Sequence, residues 1–457
     1  MKTIVEPKES IDKLWGKQKV REGETYRLMR YVLRVDHEDK VLLHNVVTGR
    51  LVVLEQEEAE LLETLPAPYA PAMEQLVTEH YLVPQNFDEY RSVNQLRKIL
   101  RSRDTSDIIN RYVVLPTTYC NARCFYCYES DYPRVHMTEE TANRLVEYID
   151  EHRKGKDVRL NWFGGEPLLG ISRIDQISQG LKDRDISFSS SMISNGYLFD
   201  DELIEKSVNL WKLQRIQITL DGTEEVYNRV KAYVNVKDNP FQRVLRNIDL
   251  LSAKKVKVTI RLNVDFYNRE NIHALIEELG HRYAENKYVS AYLNMLFSDQ
   301  GYEPVHHTTD DVVRLLHITD EYNERLKELK IGTVGAEVPS LQANQCVADN
   351  PHAVVIQPDG SFCRCEHESI HDSYGSIDEG ILDPQKIQMW KETIERSDDC
   401  PRCSFFPSCY MLRYCIGGNE KCIDSFRLRY QKLVENHIRS VYVKELEDKK
   451  NESVQKA

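Results

Sequence analysis

The chain has no run of apolar residues long enough to cross a bilayer, which takes about 20 in succession. It opens Met1-Lys2-Thr3-Ile4-Val5-Glu6-Pro7, without the apolar core of a secretory signal. Basic charge is in deficit: 61 Lys and Arg against 73 Asp and Glu leave a net charge of −12. Phosphate binding needs a basic face, so no nucleic-acid partner is expected. Neither GxGxxG nor GxxxxGK[ST] occurs, which leaves dinucleotide-dehydrogenase and P-loop readings without residues to rest on. These absences lead us to expect a cytoplasmic protein with no membrane partner, in a compartment where thiols stay reduced. The 457 residues, 41% of them apolar, suffice for about two to four domains.

Cysteine is what the chain has in force. Cys120, Cys124 and Cys127 stand in the run Tyr119-Cys120-Asn121-Ala122-Arg123-Cys124-Phe125-Tyr126-Cys127, directly after the strand-like stretch Tyr112 to Pro116. Three thiolates on one loop can hold three irons of a 4Fe-4S cluster, whereas ferredoxin-type carriers supply four. The fourth iron is then open to a ligand that is not protein. This spacing, with the aromatic Tyr126 before the last Cys, resembles the signature of the radical S-adenosylmethionine (radical SAM) superfamily. The resemblance implies that S-adenosylmethionine chelates the open iron and is split to a 5′-deoxyadenosyl radical that removes a hydrogen atom from substrate. It makes Cys120, Cys124 and Cys127 both metal ligands and the catalytic centre, with Tyr126 at the cofactor site.

The other eight of the eleven Cys lie in the last quarter. Cys346, Gly360, Cys365, then Cys400-x2-Cys403-x5-Cys409, Cys415 and Cys422 resemble the SPASM extension of radical SAM peptide-modifying enzymes, although five residues separate Cys409 from Cys415 where the family usually has three. The resemblance implies an outer auxiliary cluster on Cys400, Cys403, Cys409 and Cys422, and an inner one on Cys346, Cys365 and Cys415. Cys363 is the candidate fourth inner ligand, because residues two apart on a strand project to one side. The alternative is a free Cys363 and an open iron on the inner cluster. Four-cysteine zinc sites would use similar knuckles, but zinc relays no electrons to a SAM-cleaving centre. Three 4Fe-4S clusters, one binding SAM and two auxiliary, are expected, with a flavodoxin or ferredoxin as reductant.

Gly164-Gly165-Glu166-Pro167 follows the strand ending Trp162-Phe163. Glycines there would let backbone approach a ligand closely, and the tetrapeptide matches the family's GGEP element, which binds the amino group of S-adenosylmethionine. Ser194 and Asn195, at the end of the next strand, match weaker positions for the ribose or carboxylate. Asp221, after the following strand, either faces substrate or caps a helix. His367-Glu368-Ser369-Ile370-His371 fits the zincin pattern HExxH, but that chemistry needs a helix, and the segment lies between Cys365 and the turn-rich Asp372-Ser373-Tyr374-Gly375.

The fold class expected is α/β. Residues 105–334 alternate strand-like runs (Tyr112 to Pro116, Val158 to Phe163, Ile186 to Ile193, Arg215 to Leu220, Val256 to Val264, Tyr288 to Leu296) with amphipathic stretches, and such βα repeats imply a parallel sheet. Six of them suit the partial (β/α)6 radical SAM barrel. Residues 1–104 hold a hairpin signal from Val41 to Leu54, with its turn at Thr48-Gly49, then helical patterns over Gln56 to Leu65 and Ala70 to Leu82. This resembles the winged-helix-like precursor-recognition domain of peptide maturases. Residues 335–457 form the SPASM region, closed by an amphipathic helix with Leu433, His437, Ile438 and Val441 on its apolar side. The resemblance implies a maturase of a ribosomally made, Cys-containing precursor peptide bound through its leader, of the thioether-forming sactipeptide or ranthipeptide type. Alternatives are a carbon-carbon crosslinking maturase, an anaerobic sulfatase-maturating enzyme, or a cluster-carrying electron-transfer protein, for which GGEP would have no use.

Overall fold

The computed structural model describes residues 1–102, 106–296, 308–332, 338–344, 346–392, 398–409 and 424–455. Strands β1 (Lys2–Val5), β2 (Thr25–Leu28), β3 (Val32–His37), β4 (Lys40–Asn45), β5 (Leu51–Val53), β6 (Ala67–Pro68) and β7 (Leu82–Pro84) make two sheets, in the orders β1-β5-β4-β3 and β6-β2-β7. The expected hairpin is β4–β5, with Leu42 opposite Val53 and Leu43 opposite Val52. Its outer sides are both taken, β4 by β3 and β5 by β1. The helix expected over Ala70 to Leu82 shortens to a 3-10 turn, Pro71–Met73, and a helix, Glu74–Thr78. His80 takes a positive φ of 58°, and Leu82 leaves the helical path to pair with Leu28.

The barrel strands are β8 (Arg111–Val114), β9 (Val158–Trp162), β10 (Phe188–Ser194), β11 (Leu213–Leu220), β12 (Lys257–Val264) and β13 (Val289–Met295). Each neighbouring pair is parallel, and all six lie close to where the alternation predicts them. Helices between them cover one face, and their starts are written in the sequence. Thr138 accepts from Thr141 N and Asp200 from Leu203 N, while Asn239 caps a helix with Pro240 in its first turn, the residue types that satisfy free amides at helix starts. Period-two alternation divides the strands: Ile216, Ile218, Leu220, Val258, Ile260 and Leu262 are buried under the helices. Arg215, Gln217, Thr219, Lys257, Thr259 and Arg261 line the inner face and stay partly open.

The barrel's sheet gains further strands that the sequence does not announce. β14 (Ala353–Ile356), from the cysteine-rich region, pairs parallel with β8, Val354 opposite Tyr112. β15 (Ser361–Cys363), β16 (Gly375–Ser376) and β17 (Gly380–Ile381) continue the sheet antiparallel, giving the order β13-β12-β11-β10-β9-β8-β14-β15-β16-β17. The short apolar run Ala353–Ile356 is fully buried, as a strand covered on both faces must be.

The leading and cysteine-rich regions share their cores. Phe406 and Leu341 are buried with Tyr31, Leu43, Val52 and Leu96. The closing helix, Asp424–Gln455, packs Val434, Ile438 and Tyr442 against Val35, Leu42, Leu51 and Val53. Leu433, expected on that face, is 43% exposed, so the buried stripe runs one residue further round. Among the described residues no helix is long and apolar enough to cross a membrane.

Candidate active site

Beyond β8 the chain closes a loop at its neck. Thr118 N donates to Val135 O (3.0 Å), Thr118 Oγ1 donates to Pro133 O (2.6 Å), and Arg134 Nη1 donates to Thr118 O (2.7 Å). Cys120, Cys124 and Cys127 sit on this loop as free, half-buried thiols. Burial pushes Cys120 up to about 12 and Cys127 up to about 11. Cys124 is also raised by burial, against the pull of Lys231. Left alone, the three are neutral thiols, and a metal must displace their protons before they ligate. In donor chemistry three thiols on one loop match a cluster with one open iron; among the described residues no three His, Cys, Asp or Glu side chains converge on a single metal-ion position.

The GGEP segment is packed directly under this loop. A Cβ on Gly164, whose φ is +106°, would stand 2.2 Å from Thr117 O, and one on Gly165 would stand 2.5 Å from Tyr119 O and 2.6 Å from Thr118 O. The close approach that demands glycine is therefore to the cysteine loop's own backbone, where the sequence suggested a ligand. Glu166 N donates to Tyr119 O (2.8 Å). The Glu166 carboxylate is wholly buried and accepts from Ser194 Oγ (2.8 Å), Asn195 N (2.8 Å) and Leu168 N (3.1 Å). Burial outweighs these donors and raises Glu166 to about 7. Pro167 opens the 3-10 turn that follows.

Ser194 and Asn195 thus stand at the site with their polar groups engaged. The Ser194 hydroxyl binds Glu166, and Asn195 Nδ2 donates to Asn121 Oδ1 (2.7 Å), inside the cysteine loop. They brace the loop. Tyr126 Oη donates to Asp221 Oδ1 (2.8 Å) and accepts from Lys231 Nζ (3.1 Å). Asp221 caps no helix, the next one having its N-cap at Thr223: it is fully buried, taking Asn263 Nδ2 at 2.9 Å and an ion pair from Lys231 at 3.1 Å. Lys231 carries no motif and was missed. Its signal is a Lys within the buried stripe Val226, Tyr227, Val230, Lys231 of a short helix, where a cation needs a buried partner.

The second cysteine set meets the first through its neighbours. Tyr128 stacks on His367 at 4.1 Å between centroids, and Tyr132 Oη donates to His367 O. Glu129 is 5% exposed, and burial raises it to about 7. The HExxH match is not a zincin. Residues 370–372 form a 3-10 turn, and Glu368 accepts from Arg364 N (2.7 Å) and Cys365 N (3.1 Å).

Cys346 is exposed, with Ala348 N donating to its sulfur at 3.3 Å, and Ala348 packs with Cys365 and Trp390. Cys363 packs elsewhere, with Val113, Leu115, Phe163 and Val355. β15 ends at Cys363 and the chain bends there, so strand alternation does not carry through to Cys365. The fully buried Cys363 thiol donates to Ser369 O (3.4 Å) and accepts from Gln357 (3.6 Å), and burial raises it to about 12. Cys400 opens a 3-10 turn that Cys403 closes, with Cys409 following the next one. Cys415 and Cys422 lie outside the described residues.

Arg97 fixes this part. Its guanidinium is 3% exposed and donates to Phe406 O and Pro407 O (3.1 Å each), lying 4.8 Å from the Phe406 ring centroid.

Residues 114–279 match the model of the radical SAM superfamily, so the chain carries a radical SAM domain. Over 408 residues it is 23% identical to the radical SAM cyclopropyl synthase TigE of Paramaledivibacter caminithermalis, covering 77% of this chain and 79% of that protein. Over 296 residues it is 23% identical to a GTP 3',8-cyclase of Clostridium perfringens, covering 61% of this chain and 87% of that one. Among solved structures, anSMEcpe with bound AdoMet and the Cp18Cys peptide aligns with a TM-score of 0.57 at 15% identity, over 74% of this chain and 99% of that one. Streptococcus suis SuiB bound to its precursor peptide SuiA aligns with a TM-score of 0.50 at 15% identity, over 84% and 94%. The fold is that of the radical SAM and SPASM architecture.

Proposed function

We propose that this protein is a radical SAM enzyme that modifies a ribosomally made, Cys-containing precursor peptide by linking a peptide Cys sulfur to a peptide carbon as a thioether. The observation that carries the reading is the joining of two cysteine centres in one sheet. The Cys120–Cys127 loop rises from the end of β8, and β14 and β15, between Cys346 and Cys365, pair beside that same strand. Structures related in fold include SuiB bound to its precursor peptide, which supports a peptide as substrate.

Cys120, Cys124 and Cys127 would hold a 4Fe-4S cluster, which with S-adenosylmethionine would supply radical chemistry at a peptide C–H bond. This chain's residues then have separable tasks. Gly164 and Gly165 admit the cysteine loop to van der Waals distance, and Glu166, Ser194 and Asn195 hold it there. Lys231, Asp221 and Tyr126 fix its far side. Cys346, Cys365 and Cys415 would hold an inner auxiliary cluster, Cys363 remaining a protonated thiol, and Cys400, Cys403, Cys409 and Cys422 an outer one. Such centres would carry away the surplus electron of an oxidative crosslink.

The test is mass spectrometry of the small Cys-bearing peptide encoded beside the gene, after incubation with anaerobically reconstituted enzyme, S-adenosylmethionine and reductant. A thioether product has lost a pair of hydrogen atoms per crosslink, and its linked Cys resists alkylation after disulfide reduction. If the mass falls while every Cys stays alkylatable, the bond is carbon-carbon; an unmodified peptide beside released 5′-deoxyadenosine refutes the substrate.

A further inference from the structure

The six barrel strands carry Arg111, Arg159, Arg215, Lys257 and Arg261 and no Asp or Glu, in a chain whose net charge is −12. All five lie on the inner face: each alternates with a buried residue turned to the helices, Tyr112, Leu160, Ile216, Val258 and Ile260 or Leu262. Strand register gathers them. Arg111 stands opposite Arg159, and Arg215 lies between Ser191 and Lys257. Arg111 and Arg159 line a cavity of about 410 Å³ together with Asn161, Ser191 and Cys346.

Among the described residues none of the five makes an ion pair, whereas Lys206, Arg243, Arg246, Arg282 and Arg325 on the barrel's outside all do. Arg261 Nε donates to Asn263 Oδ1 (3.0 Å), which leaves its terminal nitrogens available. At the starts of these strands the exposed Asp157 directly precedes β9, two residues before Arg159, and makes no ion pair with it; at their other ends Asp221 is neutralised by Lys231. A concave face whose strands carry five cations, set against the half-buried Glu366 that acts on Cys346 and, with Arg261, on His367, keeps an excess of positive charge among the described residues, and low-dielectric walls focus such a field toward anions. Guanidinium groups also match carboxylates in a bidentate manner.

We propose that this inner face receives carboxylates of the substrate, so that the peptide stretch entering the barrel past Cys346 is rich in Asp or Glu around the modified Cys. Resting on the peptide-maturase reading, this names the substrate's chemistry: an acidic core peptide. A nucleoside triphosphate would satisfy the same cations and is the competing guest.

The test uses anaerobically reconstituted holoenzyme with S-adenosylmethionine and three fluorescent probes: a short Cys-containing peptide bearing several Glu, its Gln counterpart, and labelled GTP. Binding is read by anisotropy. The Glu peptide should bind about tenfold more tightly than the Gln peptide at low salt, the worth of one charge-assisted bond, and the margin should shrink as salt rises. In Arg111→Gln/Arg159→Gln the ratio between the two peptides should collapse toward unity, and Arg159→Glu should reverse it in favour of a Lys-bearing peptide. Arg246→Gln, on the outer surface, should keep the ratio. Equal affinity for the Glu and Gln peptides, or binding of neither, overturns the acidic-substrate inference and leaves the maturase reading to the mass-spectrometric assay. Tight GTP binding with neither peptide bound overturns both. A ratio that persists in the Arg111/Arg159 variant places recognition elsewhere and overturns the site.

Discussion

Lys231 Nζ and Asp221 Oδ2 lie 3.1 Å apart at a site where the two side chains are 4% and 0% exposed, directly behind the cysteine loop. Removing one partner of such a pair leaves an unpaired buried charge, at about 3–5 kcal/mol, while replacing both is far milder. Lys231→Met should therefore lower unfolding free energy by that order and Lys231→Met/Asp221→Leu by clearly less, measured by urea denaturation. Equal losses in single and double variants would mean that the ion pair is not what holds these residues.

Gly165→Ala should slow cofactor cleavage by displacing the cysteine loop, since its Cβ would meet Tyr119 O at 2.5 Å. A shift of that kind lowers the rate by on the order of a hundredfold, and iron bound by the loop should fall with it. Gly155→Ala is the control: its φ is +77° but nothing lies within 4 Å of the added atom. 5′-deoxyadenosine formation and iron per chain distinguish the two.

Iron content sorts the cysteines. About twelve irons per chain are expected from three clusters of four, and Ala at Cys120, Cys124 and Cys127 together should remove about a third of them. Cys363→Ala should leave the count unchanged and Cys365→Ala should lower it. Loss of iron from Cys363→Ala would restore that thiol to the inner centre.

Deleting residues 1–104 should do more than weaken peptide binding. Arg97 holds the carbonyls of Phe406 and Pro407, and Phe406 is buried among leading-domain residues. The truncated enzyme should lose the iron of the outer centre. Arg97→Ala alone leaves the Phe406 carbonyl without its donor, at about 1–3 kcal/mol, and Pro407 O with only the long bond from Gln342 N (3.4 Å), and should lower both the thermal midpoint and the iron count.

Glu166 gives a pH dependence of known sign. Its folded pKa, about 7, lies above the ordinary carboxyl value, so the folded state holds the proton more tightly than the unfolded state does. Its contribution is complete below the ordinary carboxyl range and is lost as pH rises through about 7. Thermal midpoints should carry a downward component across that window that disappears in Glu166→Gln. A slope unchanged by the substitution would assign it to other groups.

The barrel was legible because its strands and helices obey two incompatible periods. The cysteine loop and GGEP were legible because chemistry fixes their spacing. What the sequence hid depends on contacts between distant segments. No local pattern says that Ala353–Ile356 will lie beside Tyr112, that Lys231 will find Asp221, or that Arg97 will cap a turn more than three hundred residues away. For Cys363 the strand argument gives no support, since a strand's alternation ends where β15 does.

The place of β14 bears on how the protein is made. On the ribosome β8 emerges early and gains β9 on one side, but its other edge stays unpaired until the whole barrel has been synthesised and β14 follows. An open edge flanked by apolar residues invites pairing with other chains, and slow N-to-C emergence prolongs that exposure. Loading of metal into the Cys120 loop, which hangs from this same strand, would best await closure of the edge. Expression strains rich in chaperones and in cluster-assembly proteins should therefore raise the yield of holoenzyme together, with neither sufficing alone.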